Sequence, residues 1–247
     1  MARSSATPKQ LLHKWVEEKE STWERGNIVK DFRKEQGIPY GRWLSPNAFG
    51  NPLQWQVLDV LGVEAKPFET YTKLLFERGY DVEKKILSIL GGQQQTFVSL
   101  GKICGFCDVI LDTKDWDIPL GVIPFDIKSI GGMKMKRIKS AKGADMKAIL
   151  QTCFYAMALG KDDFGVIYVN ADAYDIETFT YRTKDVEPLV LNEIKQFEEA
   201  MNKCEVPVFE AKEAWQKNAK YNNFKDWMDL SKEECQKKLA ESGKIFM

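Results

Sequence analysis

Residues 96–129 read TFVSLGKICGFCDVILDTKDWDIPLGVIPFDIKS. Three runs rich in β-branched and aromatic residues, Thr96 to Leu100, Ile103 to Leu111 and Leu120 to Ser129, follow one another, the last two joined by the polar turn DTKDWD. Their two-residue period predicts three consecutive strands.

On the N-terminal side the period is helical. Pro67 to Leu90 carries Phe68, Tyr71, Leu74, Leu75, Ile86, Leu87 and Leu90, with Gly79 as a point of interruption and Gly91-Gly92 as the stop. Ser45-Pro46 opens another helical stretch to Gly62, broken at Asn51-Pro52, and Thr7-Pro8 opens a first helix that Gly26 ends. On the C-terminal side a Gly- and Lys-rich loop precedes a helix from Asp145 to Leu159, which Gly160 ends. Strands Gly165 to Val169 and Ile176 to Tyr181 flank the turn NADAYD, and a long helix runs from Asp185 to Lys203. The order helix, three strands, helix, two strands, helix implies an α/β fold with a central mixed β-sheet flanked by helices. The expected divisions are a helical N-terminal region over 1–66, a core over 67–209 and a helical C-terminal extension over 210–247, together one compact domain.

Composition narrows the chemistry. With 44% apolar and 29% charged residues among 247, the chain reads as an ordinary globule. It has no apolar run long enough to cross a bilayer and no signal-peptide pattern at its N-terminus, so a cytoplasmic location without membrane partners is expected. Its 36 basic and 36 acidic side chains cancel, so a polyanion must be held by a local patch. One histidine, His13, argues against histidine-centred catalysis and His-rich zinc sites, and an odd count of 5 cysteines argues for reduced thiols.

Charge gathers at the ends of the two later strands. Asp108 interrupts the apolar run GFCDVIL, where a lone carboxylate is costly and needs a partner or a cation. In IPFDIKS the strand period places Asp126 and Lys128 on one face, and Ile123, Phe125 and Ile127 on the other, toward a core. Pro124 cannot donate to a central ladder and is expected at an edge or bulge. Mg²⁺ prefers oxygen ligands, which Asp108, Asp126 and the Ile127 carbonyl offer, while Lys128 is placed to orient or deprotonate an attacking water or to stabilise transition-state charge.

At this point the chain resembles the PD-(D/E)XK nucleases, in particular the lambda-exonuclease and RecB-like exonuclease branch. Four elements carry the likeness: Glu83 within FERGYDVEKKIL, Asp108 in GFCDVILD, Asp126 and Lys128 in PFDIKS, and Gln151 with Tyr155 in QTCFY. The resemblance covers about 76–169 and extends loosely to the helix ending before Pro207. It implies a restriction-endonuclease-like core in which Glu83, Asp108 and Asp126 ligate one or two Mg²⁺ or Mn²⁺ ions and Lys128 is the catalytic lysine. Gln151 and Tyr155 would orient Lys128 or hold a DNA phosphate. A glutamate at 83, where RecB-like members often carry histidine, points to the lambda-exonuclease side, and the cysteine pattern of iron–sulfur members is absent, so no such cluster is expected. The implied activity is metal-dependent DNA exonuclease action in recombination, repair or phage DNA processing, on single- or double-stranded DNA with an end, and it allows a recombination or replication protein as partner. The rivals are an endonuclease or junction resolvase on the same fold, and an inactive binding module.

Each element alone has an ordinary explanation. An isolated Asp-x-Lys is usually an ion-paired strand face, Glu83 a helix-surface carboxylate, and Gln151 with Tyr155 helix packing. Their order, with spacings of 25, 18 and 25 residues from 83 to 108 to 126 to 151, favours the joint reading. The basic stretch after Lys128, with Lys134, Lys136, Arg137, Lys139, Lys142 and Lys147, is expected to meet DNA phosphates, or else to be a solvated loop. Met133 and Met135 are expected to pack on the body rather than beside bases. Cys104 and Cys107 face opposite sides of a strand, against a zinc or redox pair. Trp15, Trp23, Trp43 and Trp55 suit core packing better than a base-stacking channel.

Overall fold

The alternating stretch forms strands β1 (Gln93–Leu100), β2 (Ile103–Asp112) and β3 (Val122–Ile130). With β4 (Asp163–Asn170) and β5 (Ile176–Arg182) they build one sheet in the order β1-β2-β3-β4-β5. β1, β2 and β3 pair antiparallel, β3 and β4 parallel, and β4 and β5 antiparallel, which makes the sheet mixed. The computed structural model describes residues 25–38, 41–65, 70–117, 119–218, 223–244 and 246. Its α-helices among these are α1 (Arg25–Glu35), α2 (Leu53–Val60), α3 (Thr70–Leu90), α4 (Gly132–Ala141), α5 (Met146–Leu159), α6 (Thr183–Asn202) and α7 (Lys232–Glu241). The first expected helix, with His13, Trp15 and Trp23, lies outside the described residues, as does Phe68. No helix of the described residues is long and apolar enough to cross a membrane.

The strand period sorts side chains into two layers. Val109, Leu111, Ile123, Phe125 and Ile127 pack against Val82, Ile86 and Leu87 of α3 on one face. On the other, α5 is the central element, buried from Ala148 through Ala156, with α6 packed against it. Gly160, at φ +61°, ends α5 in a left-handed turn that closes Lys161 N–H onto the Ala156 carbonyl (2.9 Å).

Several expectations change. Gly79 does not interrupt α3: a Cβ there would lie 3.9 Å from that of Ser129, so its small size suits close packing of helix on β3. Residues 132–141 are helix α4 rather than loop, because Met135 and Ile138, three apart, are buried on one face while the lysines stay outside. Met133 is 90% exposed, so only Met135 packs as expected. Gly26 does not end a helix but lies within α1, whose Phe32 meets Phe97 of β1 edge-on at 5.5 Å.

Pro124 is neither at an edge nor at a bulge, since β3 is the middle strand and Pro124 stands opposite Ile110. The Thr113 N–H bond to the Gly121 carbonyl fixes the phase of the β2–β3 ladder, making Val109 and Phe125 a hydrogen-bonded pair and Ile110 and Pro124 a non-bonded one. Pro124 therefore turns its missing donor toward β4, whose pairing begins only at Phe125 and Gly165. At that pair a Cβ on Gly165 would come 2.2 Å from the Phe125 ring, so glycine lets the ring lie across the neighbouring strand.

The chain after α6 is tied into the body by polar contacts. Glu193 of α6 is buried, accepts from Gly50 N–H (3.0 Å) and Gln56 Nε2 (3.3 Å), and pairs with Lys212 Nζ at 2.6 Å. Gln216 donates to the Gly50 carbonyl at 2.9 Å, and Gln54 to the carbonyls of Pro207 and Trp227, each at 3.1 Å. Glu193→Gln keeps the shape but leaves Lys212 without its counter-charge, and should cost about 1–2 kcal/mol, a fall in Tm of about 3–6 °C by calorimetry. An unchanged Tm would show that Lys212 gains nothing from the pair.

Candidate active site

The site lies where β2 and β3 part. Their pairing stops at Val109 and Phe125, so the next opposed residues, Asp108 and Asp126, flank a fork instead of completing the ladder. Ile127 is in phase to point its N–H toward β2, and there it donates to Asp108 Oδ2 at 2.9 Å rather than to a strand carbonyl. The same phase aims the Ile127 carbonyl to that side. Ile123, Phe125 and Ile127 anchor the opposite face in the core, which fixes the aspartate and lysine by the strand period alone.

Asp126 is fully buried, and Lys128 Nζ reaches back to it at 3.0 Å from Oδ1 and 2.8 Å from Oδ2. Oδ2 accepts no hydrogen bond among the described residues, because the close ammonium lies off the hydrogen-bond direction. Lys128 also donates to Gln151 Oε1 at 3.2 Å, and Gln151 Nε2 donates to Tyr155 Oη at 3.0 Å. The four-residue spacing on α5 thus produces a relay that holds the lysine head. Tyr155 is 3% exposed and stands behind Gln151, so its hydroxyl meets the amide and not solvent.

These charges perturb one another. Burial, then the charges of Asp126 and Glu83, drive the Asp108 carboxyl well above the usual carboxylate range, against Lys128 and the Ile127 N–H. Burial works against the Lys128 ammonium, but Asp126, Asp108 and Glu83 outweigh it and raise its pKa. Burial, followed by Asp126 and Asp108, pushes the Tyr155 phenol up, so it remains a neutral hydroxyl.

Glu83 approaches the fork from α3, on the opposite face, and its Oε1 accepts from Gln95 Nε2 at 2.8 Å. Gln95 was invisible to sequence reasoning. It stands in register opposite Asp108, between the pairs Gln94–Val109 and Thr96–Cys107, with φ +48°, a left-handed conformation rare for a side-chain-bearing residue. The run Gln93-Gln94-Gln95 carries no signal of that bend.

The donor set suits a hard cation. It comprises two aspartates at the fork, one with an unbonded buried oxygen, a carbonyl aimed to the same side and a third carboxylate nearby. Among the described residues no three His, Cys, Asp or Glu side chains close up into a ligand cluster by themselves.

The basic residues after Lys128 are largely paired. Lys134 and Arg137 both reach Asp145, and Lys139 bridges Asp175 (2.6 Å) and Glu177 (3.3 Å). Lys136 and Lys142 are exposed on α4 and its C-terminal turn. Cys104 and Cys107 are free and buried on β2. Trp43 packs edge-on against Phe197 at 5.3 Å, and Trp55 stacks on Phe209 at 5.9 Å.

No family model matches the chain, and no curated protein matches it. Among solved structures, SSO0001 is similar at a TM-score of 0.44 and 11% identity, over 73% of this chain and 88% of that one. The alkaline exonuclease LHK-Exo from Laribacter hongkongensis is similar at a TM-score of 0.44 and 11% identity, over 69% and 93%. A phage-related exonuclease from Haemophilus somnus 129PT is similar at a TM-score of 0.37 and 15% identity, over 59% and 78%.

Proposed function

We propose that the chain is a divalent-cation-dependent deoxyribonuclease that hydrolyses phosphodiester bonds at DNA ends, with Mg²⁺ or Mn²⁺ as its ion. The observation that supports this best is the buried Asp126 carboxylate, with one oxygen free of hydrogen bonds, beside Asp108 and in contact with a lysine. Asp108, Asp126 and the Ile127 carbonyl would hold the ion, with Glu83 completing its surroundings. A bound divalent cation supplies a water of lowered pKa and charge relief at the scissile phosphate. Lys128 supplies an ammonium for the charge that develops on the phosphoryl oxygens. Gln151, backed by Tyr155, would keep that ammonium in place while Asp126 holds the ion. Exposed Lys136 and Lys142 are the basic residues of α4 best placed for phosphates, and we read the segments on either side of the core as parts of one compact domain.

The test uses purified protein and end-labelled single- and double-stranded DNA, with Mg²⁺, with Mn²⁺ or with chelator. Cation-dependent release of nucleotides from an end is expected. Internal fragments would identify an endonuclease instead, and hydrolysis that persists in chelator would defeat the proposal.

Gln95 is a positioning residue in this scheme, because it fixes the Glu83 carboxylate. Partners of this kind are worth about 10–100-fold in metal affinity. Gln95→Ala should weaken Mn²⁺ binding by about tenfold in a calorimetric titration, while Gln95→Gly, which relaxes the left-handed backbone, should lose binding without losing stability. Parental Mn²⁺ affinity in both variants would remove Gln95 from the site.

A further inference from the structure

A cleft of ≈ 650 Å³ lies beside the catalytic fork, walled by α2, α3, the N-terminal end of α5 and the residues Trp215, Asn223 and Phe224. Trp55, Tyr71, Phe76 and Trp215 line it, with Tyr71 65% and Trp215 39% exposed. Two polar atoms in its lining residues are buried and have no hydrogen-bond partner among the described residues: the donor Trp55 Nε1 and the acceptor Gln56 Oε1. Both residues are more than nine-tenths buried. The cleft also holds a cation, Lys147, whose Nζ donates to Asn51 Oδ1 at 3.0 Å. Burial, then Lys128, lower its pKa to about 8. Asp59, the acid among the lining residues, is engaged by Arg42 at 3.6 Å.

Exposed aromatic faces and an ammonium that no carboxylate among the described residues pairs with directly together match a nucleotide. The faces suit the base and the ammonium its phosphate. Position matches as well. Lys147 precedes Gln151 by four residues on α5, one helical turn or about 6 Å, and Gln151 holds the head of Lys128. The cleft therefore begins about a nucleotide's length from the fork.

We propose that this cleft receives an unpaired terminal nucleotide of the substrate DNA strand, with its base against Trp215 and Tyr71 and its phosphate on Lys147. The assignment rests on the nuclease reading of the neighbouring fork, and makes frayed or single-stranded ends the preferred substrate.

The test is equilibrium binding of a fluorescent single-stranded oligonucleotide in chelator, read by anisotropy on the full chain. Trp215→Ala and Lys147→Gln should each weaken binding about tenfold, and Trp215→Phe and Lys147→Arg should recover most of it. Removing the terminal base should weaken binding to the parent by about tenfold and to Trp215→Ala no further. A blunt duplex should lose much less in either variant, and a free mononucleotide should bind far more weakly than the strand. Parental affinity in both variants, or an abasic penalty equal in parent and Trp215→Ala, overturns the assignment. Should the parent fail to hydrolyse DNA while the variants still lose the oligonucleotide, the nuclease reading falls and the cleft stands as a strand-binding site. Hydrolysis with unaltered binding in the variants removes the cleft alone.

Discussion

Lys128→Met is expected to slow DNA hydrolysis by about 10²–10³-fold and, in the same protein, to lower the Tm measured in chelator. The first effect is what a preorganised donor aimed at developing charge typically contributes. The second follows from Asp126, fully buried, whose counter-charge is the Lys128 ammonium at 2.8 Å. Removing one member of a buried pair commonly costs about 3–5 kcal/mol. Because the Lys128 side chain is 35% exposed, roughly 2–3 kcal/mol is the better expectation, or about 5–10 °C in Tm. Calorimetry with and without Mn²⁺ separates this from ordinary core damage, since a cation bound to Asp126 replaces the missing charge and should return most of the lost Tm. A deficit that persists in saturating Mn²⁺ would mean that Asp126 does not face the ion.

Asp108→Asn should do the opposite to stability and the same to activity. Its carboxyl is driven above the usual range first by burial and then by Asp126 and Glu83, so the metal-free fold holds a group that resists ionisation. The folded pKa exceeds the unfolded value of about 4, so the stability this group contributes is complete below pH 4 and declines as pH rises toward the folded value. Asparagine keeps an oxygen for the Ile127 N–H and has no proton to lose. In chelator the variant should therefore melt a few degrees higher than the parent at pH 7, with no advantage below about pH 4. At the same time Mn²⁺ affinity should collapse and hydrolysis fall by about 10³-fold or more. An Asp108→Asn protein that melts below its parent at pH 7 would contradict the electrostatic picture of the fork.

These residues were legible because strand periodicity is a strong signal. The alternation in IPFDIKS placed Asp126 and Lys128 opposite Ile123, Phe125 and Ile127, and four-residue spacing placed Gln151 with Tyr155. What stayed hidden depends on contacts far apart in sequence or on backbone form. Pro124 reads locally as an edge or bulge residue, because ladder phase, set by Thr113 and Gly121, is not written in the neighbouring residues. Helix α4 was hidden by its lysines, since only Met135 and Ile138 are apolar anchors buried in the body. Gln95 acts through a left-handed backbone that no glutamine advertises. Lys147 appeared as one more member of a basic run, although a turn of α5 sets it in the cleft, apart from α4.

The ion pairs of α4 bear on how the molecule finds its substrate. Lys134, Arg137 and Lys139 are already matched by Asp145, Asp175 and Glu177, in a chain whose formal charge is zero. Such a surface projects little long-range field, so on the proposed function encounter with DNA would proceed without electrostatic steering, at rates set by random diffusion and orientation. The association rate should accordingly change little between dilute and physiological salt, and discrimination among DNA molecules falls to the lifetime of the complex once an end has been engaged.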